Sequence, residues 1–349
     1  MASESLMMLR LIPALLALAC SDYNLGTDEK GNARPDRPGD SAETSTGDTA
    51  PGESDGTSTD SGNTSGDTED SAPPAGQFDF VFLLDVAYNY DCYHPDLQTK
   101  IPALIDAIEA TGVDAAYAIA TYDDYNVDGE WYSAWGGHPY TVLTQLTTDA
   151  ARAKAVMAGV EMTWGGDAAG SAFEAVSQAM LGLGFDQACD GAFDTTRDIR
   201  PYIGSSGDAY GGAAGSARDS STPGTGSIPG VGLREGSTRI VILSVDNVIR
   251  SRSYGHTMPS GACFDAASDR DAEDALRAQG AQILGVNVYE FWDEDPTPQT
   301  QLTSFVGRVG SKIDADGDGS KDDVAVLGGS WDWPATEVTM KAIGDLAGW

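Results

Sequence analysis

Histidine is scarce: the 349-residue chain has three, His94, His138 and His256, and all three read as surface or loop residues. That argues against zinc enzymes, which draw on imidazole ligands, and against most general-base chemistry. Basic residues are few as well, 20 Lys and Arg against 54 Asp and Glu, for a formal net charge of −34. Such a field repels nucleic acid and anionic lipid, and favours cations or basic partners. No Gly-x-Ser-x-Gly elbow occurs, no Cys/His pair has a convincing setting, and Gly211-Gly212-Ala213 is too weak a signal for a phosphate loop. Ser244 lies inside a strand-like run. An enzyme is therefore not expected. Long apolar runs are missing too, since Leu11–Ala19 falls far short of the ~20 residues that span a bilayer.

What the chain does have is a set of short apolar runs that stop on carboxylates. Phe78 to Leu84 is rich in aromatic and β-branched residues, reads as a strand buried on both faces, and stops at Asp85. Ala115 to Thr121 runs into Asp123 and Asp124, and Arg239 to Val245 runs into Asp246. Open α/β sheets bind their ligands at the carboxyl ends of their strands. Three strands ending this way predict one acidic rim, and the simplest ligand for such a rim is a divalent cation.

Between the strands the spacing is helical. Leu97, Ile101, Leu104, Ile105 and Ile108 share a face, with a regular start expected close to Pro102. Thr148 and Asp149 cap a helix running to about Ala158, and a further helix is expected over Ala168–Leu181. Later come a helix around Ala267–Gln279, a strand over Ala281–Val288, and a helix near Gln301–Val309. Val324–Leu327 is expected as the final strand and Thr336–Leu346 as the closing helix. Strands alternating with helices predict an α/β fold with a doubly wound, mostly parallel sheet.

The loop from Tyr125 to Tyr140 is crowded with aromatics: Tyr125, Trp131, Tyr132, Trp135 and Tyr140. It reads either as a recognition surface, since large rigid side chains dominate interface energy, or as a loop tucked against the sheet. Residues 190–237, rich in Gly, Ser, Asp and Pro, are too long for an ordinary connection; they are functional or a loose insertion.

The sharpest motif is Asp314-Ala315-Asp316-Gly317-Asp318-Gly319-Ser320-Lys321-Asp322. Its acids fall at positions 1, 3, 5 and 9, Gly319 stands at position 6 and Ser320 at position 7. This spacing wraps a hard cation in oxygen ligands and predicts bound Ca²⁺. It is not an EF-hand, because position 12 is Ala325 and a strand-like run follows. The motif resembles the β-hairpin calcium loops of integrin α-subunit propellers, and its expected role is to fix the entry of the final strand.

Residues 78–346 resemble the von Willebrand factor A (VWFA) domain, most closely the I-like domain of integrin β subunits. The resemblance rests on FDFVFLLD at 78–85, YAIATYDDY at 117–125, HPYTVLTQLT at 138–147, GGDAAGSAFEAVSQAM at 165–180 and RIVILSVDN at 239–247. It implies a six-stranded sheet with one antiparallel edge strand and helices on both faces. It also implies a metal-ion-dependent adhesion site (MIDAS) that binds Mg²⁺ and a protein or surface ligand. Asp85 and Asp246 match the family's two aspartates. Ala87 and Asn89 stand where its serines belong, and Gly170 where integrins carry a glutamate. Asp124 and Asp167 match positions that serve a neighbouring calcium site. Either a remodelled MIDAS-like site uses Asp85, Asn89, Asp124, Asp167 and Asp246, or the carboxylates hydrogen-bond to loop amides. No Lys or Arg stands near the acids in these motifs. The family's disulfide at similar positions implies that Cys189 pairs with Cys263 and leaves Cys92 free.

The amino terminus resembles a bacterial export signal over residues 1–19, with Arg10 ahead of the apolar run, and Cys20 resembles the acylated cysteine of lipoproteins. An ordinary cleaved signal is the alternative. Ser21 implies sorting to an outer membrane. Residues 20–76 contain almost no large apolar side chains, so this acidic Ser/Thr/Gly/Asp-rich stretch is expected to be a disordered tether. The whole then reads as a lipid-anchored envelope protein that displays residues 77–349 as a cation-dependent adhesion domain. The competing reading is a structural envelope lipoprotein with an inactive adhesion site and a structural calcium site.

Overall fold

In the computed structural model the described residues are 76–87, 93–125, 138–163, 169–187, 189–191, 198–199, 226–256, 258, 263, 265–288, 297–328 and 333–349. Residues 1–75, which hold the expected signal, the cysteine expected to be acylated (Cys20) and all but the last residue of the expected tether, lie outside them, as does Cys92.

The central strand is β1 (Gln77–Asp85), in which every residue after Gln77 is buried. It pairs in parallel with β2 (Asp114–Tyr122) on one side and with β5 (Thr238–Val245) on the other. Beyond β5 lie β7 (Gln282–Asn287) and β10 (Val326–Gly328), both parallel, while β3 (Thr141–Thr147) runs antiparallel along β2. The order is therefore β10-β7-β5-β1-β2-β3. The fold is α/β: a six-stranded mixed sheet, mostly parallel with one antiparallel edge strand, and helices on both faces. Parallel strands covered on both faces must be apolar throughout, and Phe80 to Leu84 and Ile240 to Leu243 are fully buried.

The helices are α1 (Tyr93–Ala110), α2 (Ala150–Met157), α3 (Ala172–Leu181), α4 (Asp269–Ala278), α5 (Pro298–Val309) and α6 (Thr336–Ala347). They form two packed sets, α1 with α2 and α6, and α3 with α4, which in turn meets α5. Asp149 caps α2 by accepting from the Arg152 N–H at 3.1 Å. Among the described residues no helix is long and apolar enough to cross a membrane.

Three local expectations need correcting. Helix α1 runs through Pro102 instead of starting near it. Leu97, Ile101, Leu104, Ile105 and Ile108 all bury completely or nearly so, and that packing outweighs the hydrogen bond proline cannot make. Helix α3 starts at Ala172, because Ala169–Gly170 (β4) instead pairs in parallel with Val248–Ile249 (β6). The run Val324–Leu327 is not one strand. Asp323–Val324 (β9) pairs antiparallel with Lys312–Ile313 (β8), and the chain then joins β7 as β10. Fully buried Ala325 makes the crossing: its N–H donates to the Ser311 carbonyl at 3.1 Å and its carbonyl accepts from Gly285 at 2.9 Å.

The chain leaves β1 toward β2 on one side, and the later parallel strands add on the other. The switch point is thus at the carboxyl ends of β1 and β5, where Asp85 and Asp246 sit.

Candidate metal centre

Asp85 ends β1 and is 1% exposed; Asp246 follows β5 and is 4% exposed. Asp85 Oδ1 accepts from the Ala87 N–H at 3.1 Å and Oδ2 from the Asp246 N–H at 3.3 Å. The two side chains lie close enough for one proton to be shared between them. Behind them Ser244 Oγ accepts from the Asp85 N–H at 3.1 Å, and the Tyr122 hydroxyl donates to the Ser244 carbonyl at 2.6 Å. Burial pushes the Asp85 carboxyl up to about 6, although the hydrogen bonds from Asp246 and Ala87 pull it the other way. Two carboxylates this close and this dry need a proton or a cation between them.

The two carboxylates are hard oxygen donors, which suit Mg²⁺ or Ca²⁺ better than softer metals. Gly170 faces the pair: a Cβ built there would stand 3.6 Å from Asp85 Oδ2 and 3.5 Å from the Asp123 carbonyl. A side chain has room at this position, but glycine offers no ligand. Asn89 and Asp167 lie outside the described residues.

Asp124 has a charged partner within the protein, and it comes from outside the motifs named above. Asp124 is 1% exposed, and its two oxygens accept from Arg250 Nε at 3.0 Å and Nη2 at 2.8 Å. Arg250, itself 1% exposed, is the largest fully buried side chain among the described residues. The pairing of β6 with β4 carries it there, and its N–H donates to the Gly170 carbonyl at 2.8 Å. A bidentate guanidinium meets the charge of Asp124 from within the protein. The sequence signal was slight: one Arg four residues after Asp246. Neighbouring Asp123 accepts from the Thr163 hydroxyl, and its N–H donates to the His138 carbonyl at 2.9 Å.

For the two ends of the aromatic loop the tucked alternative holds. Tyr125 and Tyr140 are 2% and 0% exposed, so neither offers a surface to a partner. The Tyr125 hydroxyl donates to Glu174 Oε2 at 3.1 Å and accepts from the Ala267 N–H at 3.0 Å. Burial pushes the Tyr125 phenol and the Glu174 carboxyl upward, which keeps this internal bond protonated. Trp131, Tyr132 and Trp135 lie outside the described residues.

The acidic motif forms the turn between β8 and β9. Carboxylate oxygens of Asp314, Asp316 and Asp318 lie within 4.8 Å of one another. Asp314 accepts from the Gly317 and Gly319 N–H groups at 2.8 and 3.2 Å, Asp316 from Asp318 at 3.1 Å, and Asp318 from Ser320 at 2.7 Å. Gly319, at φ 92°, takes the left-handed conformation the turn requires. Lys341 of α6 lies 3.5 Å from Asp314 Oδ2, and Lys312 donates to the Asp322 carbonyl at 2.8 Å. The Asp322 side chain is not part of the three-carboxylate group. Elsewhere, Cys189 and Cys263 are joined in a disulfide with Cα atoms 6.2 Å apart.

No protein-family model matches the chain, and no curated protein matches it. Among solved structures, two of proximal thread matrix protein 1 from the mussel byssus are similar, at 12% and 11% identity and TM-scores of 0.38 and 0.39. They match 78% of this chain and 45% and 46% of theirs. The pilus adhesin SpaC from Lactobacillus rhamnosus GG matches 78% of this chain and 31% of its own, at 12% identity and a TM-score of 0.42. The chain thus spans less than half the length of each, and its function has to be argued from the site.

Proposed function

We propose that residues 77–349 form a von Willebrand factor A-type binding domain. It engages a protein or surface ligand through a divalent cation, Mg²⁺ or Ca²⁺, held by Asp85 and Asp246. The observation that carries this reading is the buried carboxylate pair at the topological switch point of the sheet. The cation would supply a positive centre with open positions, and an acidic group of the ligand would complete its shell. Asp85 and Asp246 would orient it, and Ser244 and Tyr122 would hold the strand ends that carry them. The exported, lipid-anchored display read from residues 1–76 belongs to the same proposal.

A second Ca²⁺ in the turn 314–322 would brace β8, β9 and the entry to β10. One observation favours the structural alternative: Arg250 already neutralises one acid of the rim from inside the protein.

Calorimetric titration of metal-stripped protein separates the two. The adhesion reading expects two cation sites in the unmodified chain, one remaining in Asp316→Ala, and the other remaining in Asp246→Ala. An Asp316→Ala protein that binds no cation would leave only the structural reading.

A further inference from the structure

A groove of about 670 Å³ lies between α3 and α4, and neither Asp85 nor Asp246 lines it. One wall is apolar, built by Leu181, Leu183 and Phe185 against Ala275 and Ala278. Leu183 is 69% exposed, the more exposed of the two large apolar side chains in the open among the described residues. Its loop is pinned. The Gln178 side chain donates to the Gly184 carbonyl and accepts from the Gly184 N–H, both at 3.0 Å, and Phe185 exchanges backbone bonds with Ile199 at 2.7 and 2.9 Å. Gly182 and Gly184, both at positive φ, let the chain turn so tightly. Leu183 is thus presented to solvent by construction.

The other side of the groove is acidic. Asp271 and Asp274 stand on α4, and Asp265 is accompanied by Arg252. Glu174 forms the floor, 5% exposed and held by Tyr125 and by Gln178 Nε2 at 2.8 Å. Glu174 is held in internal hydrogen bonds and Asp265 is met by Arg252, which leaves Asp271 and Asp274 as the exposed acids on this side. An occupant must therefore bring positive charge on one edge and apolar side chains on the other. A second copy of this chain, at a formal net charge of −34, is repelled.

We propose that the α3–α4 groove is a docking site for a peptide segment of a partner protein in which lysine or arginine alternates with large apolar residues. Apolar side chains would seat against Leu181, Leu183 and Phe185, and a basic one would reach Asp274 and Asp271. The contact needs no metal.

The test uses the full chain and, as probe, a short fluorescent peptide of alternating leucine and lysine, with a leucine–glutamate peptide as control. Anisotropy is read with and without chelator. The proposal expects saturable binding of the lysine peptide, unaffected by chelator, and none of the control. Leu183→Glu should weaken it at least about tenfold, the scale of losing an interface anchor, although the variant adds negative charge. Asp274→Lys, at an exposed position, should weaken it about threefold to tenfold. Binding that is unchanged or tightened by Leu183→Glu would show attraction to net charge alone and overturn the proposal. So would loss of binding in chelator, equal binding of the control, or no binding at all. Self-association that Leu183→Glu abolishes would assign the groove to a second copy instead.

Discussion

Replacing Arg250 by alanine is expected to lower the unfolding free energy by about 3–5 kcal/mol, the cost of leaving a buried charge without its partner. Asp124 is 1% exposed, and both of its oxygens are held by the guanidinium. Water cannot replace what the substitution removes. Arg250→Lys should recover only part of the loss, because an ammonium cannot span the two oxygens. Arg250→Met combined with Asp124→Leu should recover most of it, because no charge is then stranded. The exposed pair Arg252 with Asp265, at 62% and 64% side-chain exposure, is the internal contrast. Arg252→Ala should change stability by less than about 1 kcal/mol. Urea unfolding midpoints for the five proteins decide the matter. An Arg250→Ala effect no larger than that of Arg252→Ala would contradict it.

The second large effect is a pH dependence that a cation removes. The Asp85 carboxyl is pushed from 3.8 to about 6 in the folded chain, chiefly by burial. Between those values the folded state holds more protons than the unfolded state. Stability therefore falls as pH rises through that window and levels off above it. The size of the fall is on the order of 3 kcal/mol, at about 1.4 kcal/mol for each pH unit of displacement. In chelator, the difference between the unmodified chain and Asp85→Asn should show this decline. With Mg²⁺ or Ca²⁺ bound, the cation compensates the ionised pair and the decline should vanish, so the stabilisation by metal is larger at pH 7 than near pH 4. A difference that rises with pH in chelator would contradict the assignment.

The sheet was legible because its chemistry is local. Strands buried on both faces read as nearly continuous apolar runs, and each of the three runs stops where the chain turns into the loops above the sheet. That Asp85 and Asp246 share one rim followed from the strand ends, and their standing as a pair was implied by the family resemblance. Arg250 did not, because its partner is 126 residues away and only the β4–β6 pairing brings the two together. Tyr125 and Tyr140 show the same limit. Aromatics in a loop look alike in sequence whether they face solvent or the core, and Glu174, which draws Tyr125 inward, lies 49 residues later. Pro102 marked a helix start by local rules, and five buried aliphatic side chains on either side of it overruled them. The acidic turn was legible as a motif, but the presence of Lys341 beside Asp314 depends on how α6 packs.

The most direct test of the cation site is an anomalous difference map from crystals of the full chain equilibrated with Mn²⁺, an oxygen-seeking probe of divalent sites. The account predicts a peak between the carboxylates of Asp85 and Asp246, separate from any peak in the turn 314–322. A map with density at the turn and none at Asp85 and Asp246 would contradict it and leave a domain whose metal is structural.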